Sequence, residues 1–200
     1  MSGSRGIMAS SPARRSGSAR SRPVALTGTP GTGKSSVARA LRPAVSSVEV
    51  GAWAASIGAA RKVRGGFEVD LSRLWRLMDR PDFSWPAGLL VGHLAHLLPV
   101  REVIVLRCHP EDLLRRLRRG RRGSAKTRYE NYVAEAIDLI LEESVRPGRR
   151  VYEIDTTGRT VRDVAREVQR CLARRGPSDY GRVDWLADPS VTEHILARSR

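Results

Sequence analysis

The chain has 200 residues, of which 40% are hydrophobic, and it carries 36 Lys and Arg against 21 Asp and Glu, a formal net charge of +15. This length predicts one domain with a proper core, and no run approaches the roughly 20 apolar residues that cross a bilayer, which excludes a membrane span. Two cysteines exclude a disulfide scaffold and favour the cytoplasm, while the positive charge predicts partners that bear phosphate.

The order of predicted elements indicates the fold class. Residues 1–22 carry five basic residues and no acidic one, which predicts a disordered tail. The predicted strands lie at 24–27, 48–50, 88–92, 103–106 and 151–154, and the predicted helices at 34–41, 69–78, 110–122, 128–145 and 161–172. Apolar strands that alternate with helices predict an α/β fold whose parallel sheet is covered on both faces. Residues 176–200 predict an extended tail that packs Trp185 on the body.

A glycine-rich segment follows the first predicted strand. It reads GTPGTGKS over residues 28–35 and matches the pattern G-x-x-x-x-G-K-[ST] between a strand and a helix. Its glycines let successive backbone N–H groups converge on phosphates, and the helix adds the positive end of its dipole. Lys34 is expected to neutralise the β- and γ-phosphates, and Ser35 to offer its hydroxyl to Mg²⁺. The segment therefore predicts a nucleoside triphosphate site.

Several longer segments are more particular than this loop. They are LTGTPGTGKSSVA (26–38), FEVDLSRL (67–74), GHLAHLLP (92–99), VIVLRCHPEDLLRRL (103–117), YENYVAEAIDLILEE (129–143), EIDTTGRTVRDVA (153–165) and DYGRVDW (179–185). Together they resemble the small archaeal and eukaryotic-nuclear adenylate kinase-like NTPases, a family also implicated in maturation of the small ribosomal subunit. The resemblance covers about three quarters of the chain.

The resemblance implies a P-loop NTPase three-layer sandwich over residues 23–175, with a five-stranded parallel sheet. It also implies an insertion at about 50–80 that binds a nucleoside monophosphate, and a short lid at about 121–131. The implied activity is reversible phosphoryl transfer from ATP to AMP with Mg²⁺, giving two ADP, and ATPase activity beside it.

The resemblance also carries candidate site residues onto this sequence. The catalytic candidates are Lys34, Arg122 and His93, and the metal candidate is Ser35. The ATP-binding candidates are Gly28, Gly31, Thr32, Gly33, Lys34, Ser35, Ser36 and Arg122.

Six arginines lie within eight residues of the chain, which are Arg115, Arg116, Arg118, Arg119, Arg121 and Arg122. Transfer between two phosphates needs positioning and cancellation of charge repulsion, and the arginine fork serves both. A solvated basic helix face or a contact with ribosomal RNA is the alternative, since only some of the six can face one site.

One position departs from the family. An acid at the end of a second apolar strand usually helps to hold the hydration shell of Mg²⁺, and relatives carry Asp or Glu where Val91 stands. Three explanations stay open: Glu49 or Asp70 takes over, Ser35 and the nucleotide hold the metal alone, or catalysis is weak.

Other polar residues favour structural roles. His96 and His109 have no partners at metal-ligand spacing. Asn131 and Glu135 share one helix face, where a structural role is favoured over a lid hinge. Trp53, Trp75 and Trp85 are expected to pack in the core or in the nucleoside monophosphate-binding region rather than to serve as stacking platforms. The turn at 155–158 is expected either to border the adenine or to be an ordinary turn with Thr157 or Thr160 as the helix cap.

Three functions remain compatible with the sequence. The first is an adenylate kinase-like enzyme with AMP as acceptor. The second is an ATPase assembly factor that gates contacts with ribosomal protein and 16S rRNA, which the charge favours. The third is a small-molecule kinase with another acceptor. The expected assembly is a monomer or a weak dimer.

Overall fold

The computed structural model describes residues 22–174 and 176–198. Its strands there are β1 (Val24–Thr27), β2 (Ser47–Glu49), β3 (Ala60–Val63), β4 (Gly66–Val69), β5 (Leu89–Val91), β6 (Glu102–Arg107) and β7 (Arg150–Asp155). Its helices are α1 (Lys34–Ala40), α2 (Val50–Ser56), α3 (Leu71–Met78), α4 (Pro110–Arg119), α5 (Ala125–Ala136), α6 (Leu139–Ser144), α7 (Val161–Ala173) and α8 (Pro189–Arg198). The predicted tail at residues 1–21 lies outside the described part and stays a prediction.

The centre of the fold is a five-stranded sheet in the order β2-β5-β1-β6-β7, in which all neighbours are parallel. Alternation along β6 sends Val103 and Val105 to the core shared with α2, α3 and α6, and Ile104 and Leu106 to the core shared with α1 and α7. The predicted α/β fold with a doubly covered parallel sheet is therefore confirmed. No helix in the described residues is long and apolar enough to cross a membrane.

The insertion between β2 and β5 contains more structure than the sequence predicted. Helix α2 is followed by the antiparallel hairpin β3–β4 and by α3, which Asp70 caps by accepting a hydrogen bond from Arg73 N at 2.8 Å. Trp53, which lies in α2, is part of the core, and Trp85 packs against it, as expected. Trp75 is 45% exposed, which contradicts a place in the core and leaves packing within the insertion as the prediction for this residue.

The single helix predicted over 128–145 is two helices, α5 and α6. The break lies at Asp138, whose φ of 59° is left-handed and ends the hydrogen-bond ladder. The carboxylate of Asp138 pairs with the buried guanidinium of Arg107. A tertiary ion pair therefore accompanies the break, and no helical periodicity could reveal it.

The C-terminal segment is not simply extended. The backbone of Asp179 bonds along the edge of β7, with Glu153 N to Asp179 O and Asp179 N to Val151 O both at 2.9 Å. A short 3₁₀ turn (Trp185–Ala187) and helix α8 then follow. Trp185 and the buried Val191 pack against α4 and α5. The predicted packing of Trp185 is thus observed, whereas the extended conformation is wrong for the last helix.

Arg107 is a charged side chain buried among three carboxylates. It donates to Glu135 Oε1 at 2.8 Å and to Glu153 Oε1 at 2.6 Å, and it also pairs with Asp138. Burial opposes the charge of Arg107, but Glu135 and Asp138 outweigh it and hold its pKa above the ordinary value. Glu153 Oε2 in turn accepts from the backbone N–H groups of Gly181 and Arg182 at 2.9 Å. The cluster joins the sheet, helix α5 and the C-terminal segment.

We expect Arg107→Met to lower the free energy of unfolding by roughly 3–5 kcal/mol, because it leaves buried carboxylates without their cation. The matched control is Arg115→Met, since Arg115 pairs with Asp112 at an exposed position; it should change stability by no more than about 0.5 kcal/mol. Urea unfolding measures both variants. Equal, small effects would show that the buried cluster adds nothing to stability.

Candidate active site

The loop between β1 and α1 has a backbone conformation that requires glycine. Gly28 has φ of 132°, and a Cβ there would lie 2.2 Å from the carbonyl oxygen of Leu106. Gly33 has φ of 103°, although the space around it is open. Only glycine reaches such angles without strain. The first glycine therefore permits close approach of the loop to β6, and the second permits the turn into α1.

Lys34 points into this loop. Its Nζ donates to the carbonyl oxygens of Gly28 at 2.6 Å and Thr29 at 2.9 Å. Burial lowers the pKa of Lys34 to about 8, against the opposing charges of Glu135 and Glu49. A bound anion would favour the charged form of the Lys34 amine, so the position of this side chain in the loop suits the binding of phosphate.

Helix α5 contacts the loop between β1 and α1 through the carboxylate of Glu135. The hydroxyl of Thr29 donates to Glu135 Oε2, and Glu135 Oε1 accepts from Arg107 Nε and from Cys108 N at 3.0 Å. Trp185 Nε1 lies 3.4 Å from the same oxygen. The favoured structural role of Glu135 thus includes the phosphate-binding loop. A charged residue within an apolar strand, here Arg107, was the available sequence signal for this network.

A cavity of about 800 Å³ opens above the loop and extends to the insertion on one side and to the end of α4 on the other. Of the predicted site residues, Gly28 lies beneath it, at the base of the loop. Those that line it are Gly31, Thr32, Gly33, Lys34, Ser35, Ser36, His93 and Arg122. The fold therefore brings together candidates that lie far apart in the sequence.

Two of the six clustered arginines line the cavity, Arg116 and Arg122. Arg116 donates to Thr156 Oγ1 at 3.1 Å and to the carbonyl oxygen of Thr156 at 2.8 Å, so the turn after β7 fixes its guanidinium. Arg159 also lines the cavity and pairs with Glu167 at 2.6 Å. Sequence reasoning missed Arg159, because nothing local places the turn after β7 beside the loop after β1.

The turn at 155–158 serves in part as an ordinary connection. Thr160 caps α7 by accepting from Asp163 N at 3.2 Å, so Thr160 rather than Thr157 is the cap. Thr156 nevertheless lines the cavity. The turn therefore starts a helix, as expected, and also borders the cavity, while its contact with the adenine stays a prediction.

The predicted lid is largely helical. Gly120 to Ser124 form the turn after α4, whereas residues 125–131 are the first part of α5, which Ser124 caps by accepting from Thr127 N at 3.1 Å. The lid over about 121–131 stays a prediction, and its motion is a proposal.

The histidines have different surroundings. His93 faces the cavity, and partial desolvation together with the charges of Lys34 and His96 lowers its pKa. His96 is buried between Thr27 Oγ1 at 3.1 Å and Glu143 Oε2 at 2.9 Å. His109 Nε2 lies 3.0 Å from Asp188 Oδ2. Within the described residues, no group of three or more His, Cys, Asp or Glu could hold a metal ion.

Comparison with known proteins agrees with this geometry. The family model described as an AAA domain matches residues 24–138. The chain is 37% identical over 176 residues to the "Putative adenylate kinase" of Thermococcus onnurineus, covering 86% of this chain and 97% of the relative. It is 39% identical over 173 residues to the protein of the same name from Archaeoglobus fulgidus, covering 82% and 92%. The chain belongs to the adenylate kinase-like P-loop NTPases.

Comparison with one solved structure bears on the fold of this chain. Shikimate kinase from Acinetobacter baumannii, in complex with shikimate, superposes with a TM-score of 0.51 at 18% identity, covering 77% of this chain and 94% of that one. At this identity the likeness shows a shared fold. It supports the P-loop kinase architecture that the resemblance implied.

The lowered pKa of Lys34 predicts that the affinity for Mg·ATP falls as the pH rises. Bound phosphates favour the charged ammonium, so above a free-state pKa of about 8 binding must take up a proton. We expect the Kd to rise by up to about tenfold per pH unit above that value. Calorimetric titration between pH 7 and 10 measures this.

Lys34→Arg is the control for this pH dependence, because a guanidinium stays charged over the whole range. Its affinity should be lower but flat with pH. A flat profile in the parent, or an equal slope in the variant, would remove Lys34 as the titrating group.

Proposed function

We propose that the protein is an adenylate kinase-like phosphotransferase that converts ATP and AMP into two ADP. The observation that carries the proposal is one continuous cavity, which joins the phosphate-binding loop to the insertion after β2 and to Arg122. A transfer between two nucleotides needs such a shared space, because both phosphates must meet in line. Family membership supports the same activity.

The donor would bind at the glycine loop. Backbone N–H groups of 31–36 and Lys34 would hold the β- and γ-phosphates, and Arg122 would cover them from the turn after α4. Thr156 and Arg159, at the turn after β7, would border the adenine side. This end of a parallel sheet is where open α/β folds bind ligands.

The acceptor would bind across the cavity, against the insertion. The wall there consists of residues 49–52 at the start of α2, residues 65–67 of the hairpin, and Val69. Phe67 is partly exposed and contacts the helix at Gly51, where an added Cβ would lie 3.0 Å from the Phe67 side chain. Glycine at 51 therefore lets the hairpin close on α2 and shape the acceptor wall.

In the transfer, an oxygen of the AMP phosphate would attack the γ-phosphorus while the bond from that phosphorus to the bridging oxygen of ADP breaks. The acceptor is already an anion, so the protein need supply no strong base. Its contribution is positioning and positive charge, from Lys34, Arg122 and Arg116. His93, held largely neutral by its lowered pKa, would donate or accept a hydrogen bond at the reacting phosphates. Mg²⁺, when bound at Ser35, would neutralise phosphate charge.

Arg122→Ala should lower the rate of phosphoryl transfer by about 10²-fold or more at saturating ATP and AMP, because a transition-state charge loses its partner. Arg119→Ala is the matched control, since Arg119 is exposed and does not line the cavity. Coupled measurement of ADP formation, with and without AMP, tests both variants. ADP that forms independently of AMP in the parent protein would contradict the kinase proposal.

A second function, as an ATPase assembly factor on the small ribosomal subunit, is favoured by one observation. The protein carries a net charge of +15, and three arginines beside the cavity mouth, Arg118, Arg119 and Arg121, are exposed and make no side-chain hydrogen bond or ion pair within residues 22–174 and 176–198. Such cations suit contacts with the phosphate backbone of RNA.

Two free, buried cysteines support a cytoplasmic location for either function. For the oligomeric state we propose a monomer or a weak dimer.

Small-subunit RNA or ribosomal protein should raise ATP hydrolysis in the absence of AMP if the second function holds. The triple variant in which Arg118, Arg119 and Arg121 become Gln should lose this stimulation while keeping AMP-dependent ADP formation. RNA binding by charge alone should collapse between about 50 and 200 mM salt. Absence of stimulation at low salt would reject the assembly role.

A further inference from the structure

The strand end at which the resemblance implies an acid is apolar in this protein. Val91, the last residue of β5, is 1% exposed and packs in the core with Leu26 and Val37 of the sheet and α1. Its side chain has no oxygen to offer a metal. A carboxylate that takes part in holding Mg²⁺ at this site must therefore come from another element.

The sheet places Glu49 directly beside Val91. Strand β2 pairs parallel with β5, and Glu49 is the register partner of Val91. Register partners on parallel strands stand on the same face of the sheet, and this face packs on α1, which begins with Lys34 and Ser35. Neighbouring strands lie about 4.8 Å apart. Glu49 is thus one strand away from the usual acid, with a side chain one methylene longer than Asp.

The carboxylate of Glu49 is available to a ligand. It is exposed, it lines the cavity together with Ser35, and it makes no hydrogen bond or ion pair among residues 22–174 and 176–198. A carboxylate at a triphosphate site would repel the phosphates unless a cation lay between them.

Asp70, the other candidate acid, is already engaged. Its Oδ1 accepts a hydrogen bond from Arg73 N and caps α3, and it does not line the cavity. Of the two candidates, only Glu49 shares a wall with Ser35.

We propose that Glu49 replaces the missing acid at Val91 and that Glu49 and the Ser35 hydroxyl would together hold Mg²⁺ and its hydration shell. Mg²⁺ takes oxygen ligands, keeps several waters, and is usually bound through one or two carboxylates and the substrate phosphates. A contact made through water tolerates displacement by one strand better than direct coordination does. This inference rests on the proposed use of Mg·ATP and names the residue that makes the metal effective.

The test compares ATP affinity with Mg²⁺ and with EDTA, measured by calorimetry on the full chain. In the parent, Mg²⁺ should strengthen ATP binding. Glu49→Gln should lose about tenfold or more of this enhancement, the usual loss for a residue that orients a metal through its outer shell, and its affinity in EDTA should equal or exceed that of the parent. Paramagnetic resonance of Mn²⁺ with ATP gives a second readout, in which the variant should bind Mn²⁺ more weakly.

Asp70→Asn is the matched control, because asparagine also caps helices well. Asp70→Asn should keep the parent's ratio of the ATP affinity with Mg²⁺ to the ATP affinity in EDTA. The inference is overturned if Glu49→Gln keeps that ratio, if Asp70→Asn loses as much, or if Glu49→Gln changes only the affinity for AMP. A parent that binds no nucleotide overturns the proposed function as well, whereas a parent with AMP-dependent ADP formation and an unaltered Glu49→Gln overturns this inference alone.

Discussion

Arg107 carries a buried positive charge at the end of β6, and the carboxylates that pair with it link the sheet, helix α5 and the C-terminal segment. A guanidinium at the end of a central strand cannot stay charged in the interior without carboxylates, and here Glu135, Asp138 and Glu153 supply them. One of these carboxylates, Asp138, lies at the break between α5 and α6, and another, Glu153, accepts from the backbone of the C-terminal segment. Through Glu135, Arg107 is also linked to Thr29 of the phosphate-binding loop. The conformation of the loop is therefore tied to the packing of α5 and of the C-terminal segment.

The cavity gathers charges in the way that transfer between two anions requires. Lys34, Arg116 and Arg122 approach from three separate elements, which are the start of α1, α4 and the turn after α4. Among the described residues, Glu49 on the edge strand β2 is the carboxylate that lines the cavity. The chemistry of this site lies in the balance of these groups, because phosphoryl transfer is limited by electrostatic repulsion and orientation more than by proton removal.

Local pattern was sufficient wherever a residue's role is set by its neighbours in sequence. The apolar runs at Leu89–Val91 and within β6 are strands, and the glycines of 28–33 make the turn that they predict. It was insufficient at Asp138, where a charge from another strand competes with helix continuation, and at α8, whose short apolar face gains its partners only on α4 and α5. The hairpin β3–β4 was missed because charged and glycine residues dilute its alternation.

The parallel α/β fold and the glycine-rich loop could be predicted from the sequence alone, because each follows from residue types at fixed short spacings. The family was indicated by the resemblance of longer segments. Which arginines face the cavity, that Glu135 contacts the loop rather than solvent, and that Glu49 stands beside Val91 became visible only in the folded chain. These facts depend on strand order and register, since neighbours in the sheet such as β2 and β5 are separated in the chain by the whole insertion.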